Sequence, residues 1–364
     1  MTRSLPHWLI YSVPLLAVLG LRLGGLWPLL AAAYVFVLIP VLEPLLGRNT
    51  SNEGADGPAR RWAFDLPLLV WVPAQLALLG WAILRLGHSP PSSVAFWAGA
   101  AAVGLVTGGI GITVAHEWMH RSTRWERALA EILLVSVSYP HFSIEHVFGH
   151  HKNVATPLDP ASSRRGESVY AFLPRTLRGS LRSAWAIERA RRERLGIAWF
   201  SLRNAFLRYA LELGLVLALV TYAAGPLGLL FFAAQSVVAV LLLETINYVE
   251  HYGLSRHQLE PGKYERVRPW HSWNASQRLT NWLLLNLQRH SDHHYLASRP
   301  YHQLRHYEEV PQLPAGYAAM IWLALIPPLW RWVMDPRVEQ LRLHPPSIAE
   351  PSSAQESHPS AMPS

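Results

Sequence analysis

The chain predicts an all-α integral membrane protein: six transmembrane helices, interfacial helices beside them, and a cytoplasmic histidine-rich site at one end of the bundle. Three observations predict this. Only 15% of residues are charged and 51% are hydrophobic, where a soluble domain carries about 25% charged residues. Six windows are nearly free of charge and long enough to cross a bilayer, which takes roughly 20 apolar residues. The basic residues gather in segments that fall on one side of those windows.

The first two spans run over residues 8–23 and 27–46, parted by "RLGG" and Pro28. A polar loop, "GRNTSNEGADGPARR", follows. The third span covers 65–86 and stops at "GHSPPSS". The fourth, 94–118, is rich in small residues ("AGAAAVGLVTGGIGITVA") and runs into "HEWMH". The fifth, 204–224, turns at "GP" into the sixth, 227–250, which ends in "NYVEHYG". Even-numbered spans return the chain to the side of the N-terminus. That side receives Arg48, Arg60 and Arg61, the 14 Lys and Arg between Met119 and Arg203, and everything after the sixth span. The other side has only short turns near Arg22, Arg85 and Gly225. The positive-inside rule therefore places both termini and both large polar regions in the cytoplasm.

Two further apolar pieces, "RALAEILLVSVSYP" and "AAMIWLALIPPLWRWVM", are short or interrupted; each suits an interfacial or a re-entrant helix, and both are taken as interfacial. Residues 1–343 form one membrane-embedded domain. The Pro/Ser-rich tail 344–364 has a disordered composition.

The chain has no cysteine. That excludes disulfides, thiolate metal sites and Fe–S clusters, and an iron–Cys₄ centre fused to the chain. There is no P-loop, and the glycines of "GLVTGGIGIT" do not match the dinucleotide-binding fingerprint. Any redox chemistry draws its electrons from outside the chain. The formal charge of +8 follows from membrane topology and calls for no nucleic acid. The first apolar stretch lacks a clear cleavage site and reads as a span rather than a signal peptide.

Nine of the 18 histidines fall in four tight groups. They are His116 and His120 in "HEWMH", His146, His150 and His151 in "EHVFGHH", His251 in "EHYG", and His290, His293 and His294 in "RHSDHH". All lie at a cytoplasmic span end or in a cytoplasmic segment. Helical residues at i and i+4 share a face, so His116 with His120, His146 with His150, and His290 with His294 are each expected to reach one metal. His151 and His293 then serve a second. Nine imidazoles exceed the four to six ligands of one ion and suit two ions with open positions. The other nine histidines, His7, His88, His141, His257, His271, His302, His306, His344 and His358, are read as structural.

"HEWMH" also matches the zinc-protease motif H-E-x-x-H. A zinc hydrolase needs three protein ligands and a water, which leaves most of the clustered histidines unexplained. Metal transport sites sit near mid-membrane, whereas these groups sit at helix ends. Carboxylates often orient ligating histidines. Glu117, Glu145, Glu250, Asp292 and Asp159 are the candidates, each expected to support a histidine of another group.

"HEWMH", "EHVFGHHKNVATPLDPASSRRGES", "NYVEHYGL" and "LQRHSDHH" together resemble the membrane-bound alkane 1-monooxygenases. These belong to the integral-membrane di-iron superfamily that also holds fatty-acid desaturases and xylene monooxygenase. The last two motifs resemble the hydroxylase branch. One departure is visible: the family's first motif usually reads H-E-L-x-H-K, and here Trp118, Met119 and Arg121 stand in it. The resemblance implies that all nine clustered histidines bind two irons. It also implies a cavity reaching them from the membrane of a bacterial inner-membrane protein, with alkane and O₂ as substrates. Rubredoxin and its reductase would supply the electrons. Rubredoxins are generally acidic, so the stretch "PRTLRGSLRSAWAIERARRER", with seven arginines and two glutamates, is expected to help dock one. Trp71, Trp81, Trp97 and Trp118 are expected to line the cavity. Hydroxylation of an alkyl-aromatic methyl group or a fatty-acyl tail, and desaturation, are the alternatives.

Overall fold

The computed structural model describes residues 3–55 and 61–344. Arg60, His358 and all of the expected tail beyond His344 lie outside the described residues. The spans are α1 (Leu5–Leu23), α2 (Trp27–Leu46), α3 (Trp62–Leu86) and α4 (Val94–Met119), followed by a 47-residue stretch, Ala205–His251. A straight helix of that length would be about 70 Å long, twice the hydrocarbon thickness. It is two helices. Gly225 takes φ 63° and ψ −158°, outside the helical region, and Pro226 follows it. Both ends of the stretch meet one helix, α7 (Val169–Leu195). The Ala205 N–H donates to Glu188 (2.9 Å), and the Thr176 hydroxyl donates to Glu244 (2.9 Å). The chain therefore turns back at Gly225, giving α8 (205–224) and α9 (226–251) and the expected six spans.

The small residues of α4 let backbones approach. A Cβ on Gly108 would stand 2.5 Å from Ala239 Cα, and one on Gly104 2.6 Å from Gln235 O. Helix α4 is thus buried against α9, with the remaining spans around them.

Helix α5 (Arg124–Val135) holds most of "RALAEILLVSVSYP" and favours the re-entrant alternative over the interfacial one. Its Thr123 cap accepts from the Glu126 N–H, as a short N-terminal cap should. Its far end enters the bundle. Gln75, near the middle of α3, donates to the Ser136 hydroxyl (2.8 Å), and Gln235 of α9 donates to the Ser136 carbonyl (3.0 Å). The helix end thus sits between two spans, and the Gln235 side chain of α9 satisfies its freed Ser136 carbonyl. Its Glu131 meets Arg208 of α8.

Three short pieces carry the rest of the site. These are α6 (142–153), which contains a π-helical turn Glu145–His150, α10 (Arg278–Leu283), and α11 (His290–Tyr295). The β1–β2 hairpin (Gln258–Glu260, Lys263–Tyr264) projects from the surface. Helices α12 (Tyr317–Ala324) and α13 (Pro327–Leu343) meet at 118°, so the pair is not a straight span.

Candidate metal centre

All nine clustered histidines converge, and they sort into two groups. His116, His120, His146, His151 and His293 form one; His150, His251, His290 and His294 form the other. Within each group the ligand atoms lie within 4.8 Å of one another. Helix α4 brings His116 and His120 from one helix end. Helix α6 supplies one edge of each group, α9 ends on His251, and α11 lays its three histidines across both. No other histidine among the described residues joins either group. His306 instead contacts Ser276 (2.8 Å), and His257 is exposed on the hairpin side.

The Nε2 atoms face inward. In the five-histidine group His151 stands 3.0 Å from both His146 and His293, nitrogen to nitrogen. In the other group His294 stands 2.9 Å from His290 and 3.2 Å from His150, and His251 lies 3.3 Å from His290. Nε2 of His116 and of His120 is buried with no hydrogen-bond partner. Buried polar nitrogens are normally paired. A set of imidazole nitrogens aimed at common points is what metal coordination requires. Burial pushes His120 down to about 3, and burial together with the neighbouring imidazoles holds His146, His151, His293 and His294 well below the usual histidine range. The rings are therefore neutral, the state that binds metal.

One expected pairing is corrected. His116 with His120 and His290 with His294 share a group, but His146 and His150 do not. They lie in the π-helical turn, where hydrogen bonds run i to i+5. The wider turn stacks His146 on His151 and rotates His150 into the second group. One turn of α6 thus feeds both sites.

The carboxylates divide. Asp159 accepts from His150 Nδ1 (2.9 Å), from the Ser162 hydroxyl (2.6 Å) and from the Ala161 N–H (3.0 Å). Burial opposes its charge, but His150 and these donors hold it below the usual carboxylate range, and it in turn raises His150 against burial. Nδ1 thereby keeps the proton and Nε2 faces the site. Glu250 Oε2 lies 3.3 Å from Nε2 of His290, a histidine from another motif that shares the four-imidazole group with His251. Glu117 and Asp292 do not support imidazoles. Glu117 binds Arg121 (2.6 Å) and the Tyr301 N–H (3.2 Å), while Asp292 binds Arg299, Tyr307 and the Arg305 N–H. Glu145 packs its carboxyl over Gly149, and burial raises it to about 8. We expect Asp159→Ala to lower metal affinity or activity by about 10- to 100-fold, the usual cost of losing such a partner. Metal analysis of the purified variant measures it, and parent-like values would show that His150 needs no orienting partner.

Two spaces lie within the bundle, and the smaller one reaches the imidazoles. The larger is apolar and walled by residues such as Val13, Phe36, Leu105, Gly109 and Tyr317. The smaller reaches His116, His146 and His290, lined also by Phe142, Asn247 and Glu250. Ile246 belongs to both. None of Trp71, Trp81, Trp97 and Trp118 lines either space. Trp71 donates to Gln75 (2.8 Å), Trp97 to the Pro91 carbonyl (2.7 Å), Arg85 lies over Trp81, and Trp118 is buried beside Trp125. Tyr317, whose hydroxyl donates to Glu250 (2.7 Å), carried no signal in the sequence.

The fatty acid desaturase family model matches residues 91–324, the stretch that holds all nine imidazoles. Alkane 1-monooxygenase 2 of Pseudomonas aeruginosa is 44% identical over 346 residues, which is 90% of this chain and 91% of that protein. The chain belongs to the alkane 1-monooxygenase family. A second member, alkane 1-monooxygenase 2 of Alcanivorax borkumensis, is 41% identical over 90% of this chain and 87% of its own. The xylene/toluene monooxygenase hydroxylase component XylM of Pseudomonas putida is similar at 30% identity, over 90% and 86%. These two alkane 1-monooxygenases are thus more similar to this chain than that xylene/toluene monooxygenase component is.

Proposed function

We propose that the chain hydroxylates the terminal carbon of an alkane, R–CH₃ + O₂ + two electrons + two protons → R–CH₂OH + H₂O, at two irons held by the nine clustered histidines. The observation that carries this reading is an apolar cavity, walled by four spans, α10 and α12, that shares Ile246 with the space reaching histidines of both buried groups. The irons, when bound, supply O₂ activation and hydrogen abstraction. The protein does the rest. The imidazoles are neutral donors that leave positions open for substrate. Asp159 fixes the His150 tautomer. The aliphatic walls admit a hydrocarbon from the bilayer, exclude water, and present its end rather than its middle. The site faces the cytoplasm of a bacterial inner membrane, where a soluble rubredoxin, reduced by its reductase, delivers the electrons.

The test is conversion of octane, hexadecane, xylene and a fatty acid by cells supplied with rubredoxin and its reductase. The expected product is the 1-alkanol. Turnover of xylene alone would move the chain to the aromatic-methyl reading that the similarity to XylM favours. A double bond in the product would make it a desaturase.

The arginine-rich stretch forms α7. Arg189 pairs with Glu193 (2.8 Å), Arg191 with Glu188 (3.0 Å), and Arg192 lies over the Trp199 ring at 4.3 Å. Arg178 and Arg182 are exposed on the same helix. If α7 docks an acidic donor, Arg178→Gln, Arg182→Gln and Arg189→Gln together raise the apparent KM for rubredoxin. They also flatten its salt dependence, since screening shortens the reach of charge from roughly 10 Å at 0.1 M salt to 3 Å at 1 M. Iron content stays constant. Unchanged KM and salt slope would make α7 an anchor for anionic lipid.

A further inference from the structure

The two imidazole groups are unequal, five against four. We propose that Glu250 makes up the difference: its carboxylate is the fifth protein ligand of the four-histidine site, and Tyr317 is the positioning residue that aims it. This rests on the two-metal reading above and names one more donor in it.

The geometry separates Glu250 from an ordinary supporting acid. A carboxylate that orients a ligating imidazole binds the ring nitrogen that does not touch metal. Asp159 does this on His150, at Nδ1. Glu250 does the opposite. Its Oε2 lies 3.3 Å from Nε2 of His290, the nitrogen that points at His294 and His251. An oxygen on that side of the ring is on the metal's side.

The other oxygen of Glu250 is already engaged. Oε1 accepts the Tyr317 hydroxyl at 2.7 Å, which leaves Oε2 to face the site. Tyr317 is 1% exposed and Glu250 2%, so neither is free to swing out to water. Among the described residues, the one ion-pair partner of the Glu250 carboxylate is His290. A buried carboxylate without a cationic side chain beside it either takes up a proton or needs a metal to supply the charge. Glu250 also lines the smaller cavity together with His116, His146 and His290, which puts this oxygen where the cavity meets both groups. A hard oxygen donor on one site alone makes the two metals chemically different.

Mössbauer spectroscopy of ⁵⁷Fe-loaded enzyme, with iron counted per chain, tests this. The parent is expected to show two iron environments of equal area. Glu250→Gln should alter one environment or remove that iron, and leave the other unchanged. Tyr317→Phe should shift the same environment while both irons stay bound. Two irons with both environments unaltered in Glu250→Gln would overturn the proposal. Should that variant not fold, unaltered spectra in Tyr317→Phe overturn it instead. A parent protein holding fewer than two irons would overturn the two-metal reading itself, a failure visible before either variant is made.

Discussion

His251→Ala abolishes alkane turnover, by more than about 100-fold, and lowers bound iron, whereas His257→Ala leaves both within about twofold. Losing a ligand should exceed the 10- to 100-fold typical of losing a ligand's partner. His251 is fully buried at the end of α9, and its Nε2 stands 3.3 Å from that of His290. It is one of only four imidazoles in its group, so no neighbour replaces it. His257 lies six residues further on, exposed, with its backbone N–H bonded to Glu265 (2.6 Å). Iron per chain and 1-alkanol formation in the two variants measure the contrast. Equal, mild effects from both would remove His251 from the site.

Gly109→Leu shortens the range of alkanes accepted. Gly109 borders the larger cavity. A Cβ there meets only Leu242 Cδ2 at 3.5 Å and Leu105 Cδ1 at 3.7 Å, which are ordinary contacts. The first carbon of the new side chain therefore fits without moving the backbone, and the rest is directed to take up space proposed for substrate. One methylene more or less in an apolar pocket is worth about 10- to 200-fold. Hexadecane is expected to lose at least about tenfold in kcat/KM, and octane far less. Gly108→Leu, one residue earlier, is the control. Its Cβ would stand 2.5 Å from Ala239 Cα and 2.8 Å from Ala239 O, backbone that cannot yield, and overpacking of this kind costs about 1–3 kcal/mol or more. Reduced yield and thermal stability are expected there. Equal losses on both alkanes in Gly109→Leu would show that the substrate does not use this cavity.

The spans were legible because lipid leaves so few solutions. Every backbone group must be satisfied within a helix, so long charge-poor windows can be little else, and the Gly225–Pro226 pair marks the one place where the longest of them turns. The nine histidines were legible because they gather within four short motifs. What was hidden depends on distant partners or on helix type. The sequence of helix α5 suits an interfacial or a re-entrant helix, since nothing local tells that Gln75 and Gln235 await Ser136 inside the bundle. The spacing of His146, His150 and His151 fits both an i+4 and an i+5 turn, and the π-helix decides for the second. Asp159 and Glu250 differ from Glu117 and Asp292 only in what lies across from them: imidazoles for the first pair, and arginines for the second. Tyr317 is a single tyrosine in an apolar stretch, and only the fold brings it to Glu250.

Metal content of the purified, fully occupied protein tests the central claim most directly. Five and four converging imidazoles predict two irons per chain. One zinc per chain and no iron would contradict the account and return "HEWMH" to a hydrolase reading.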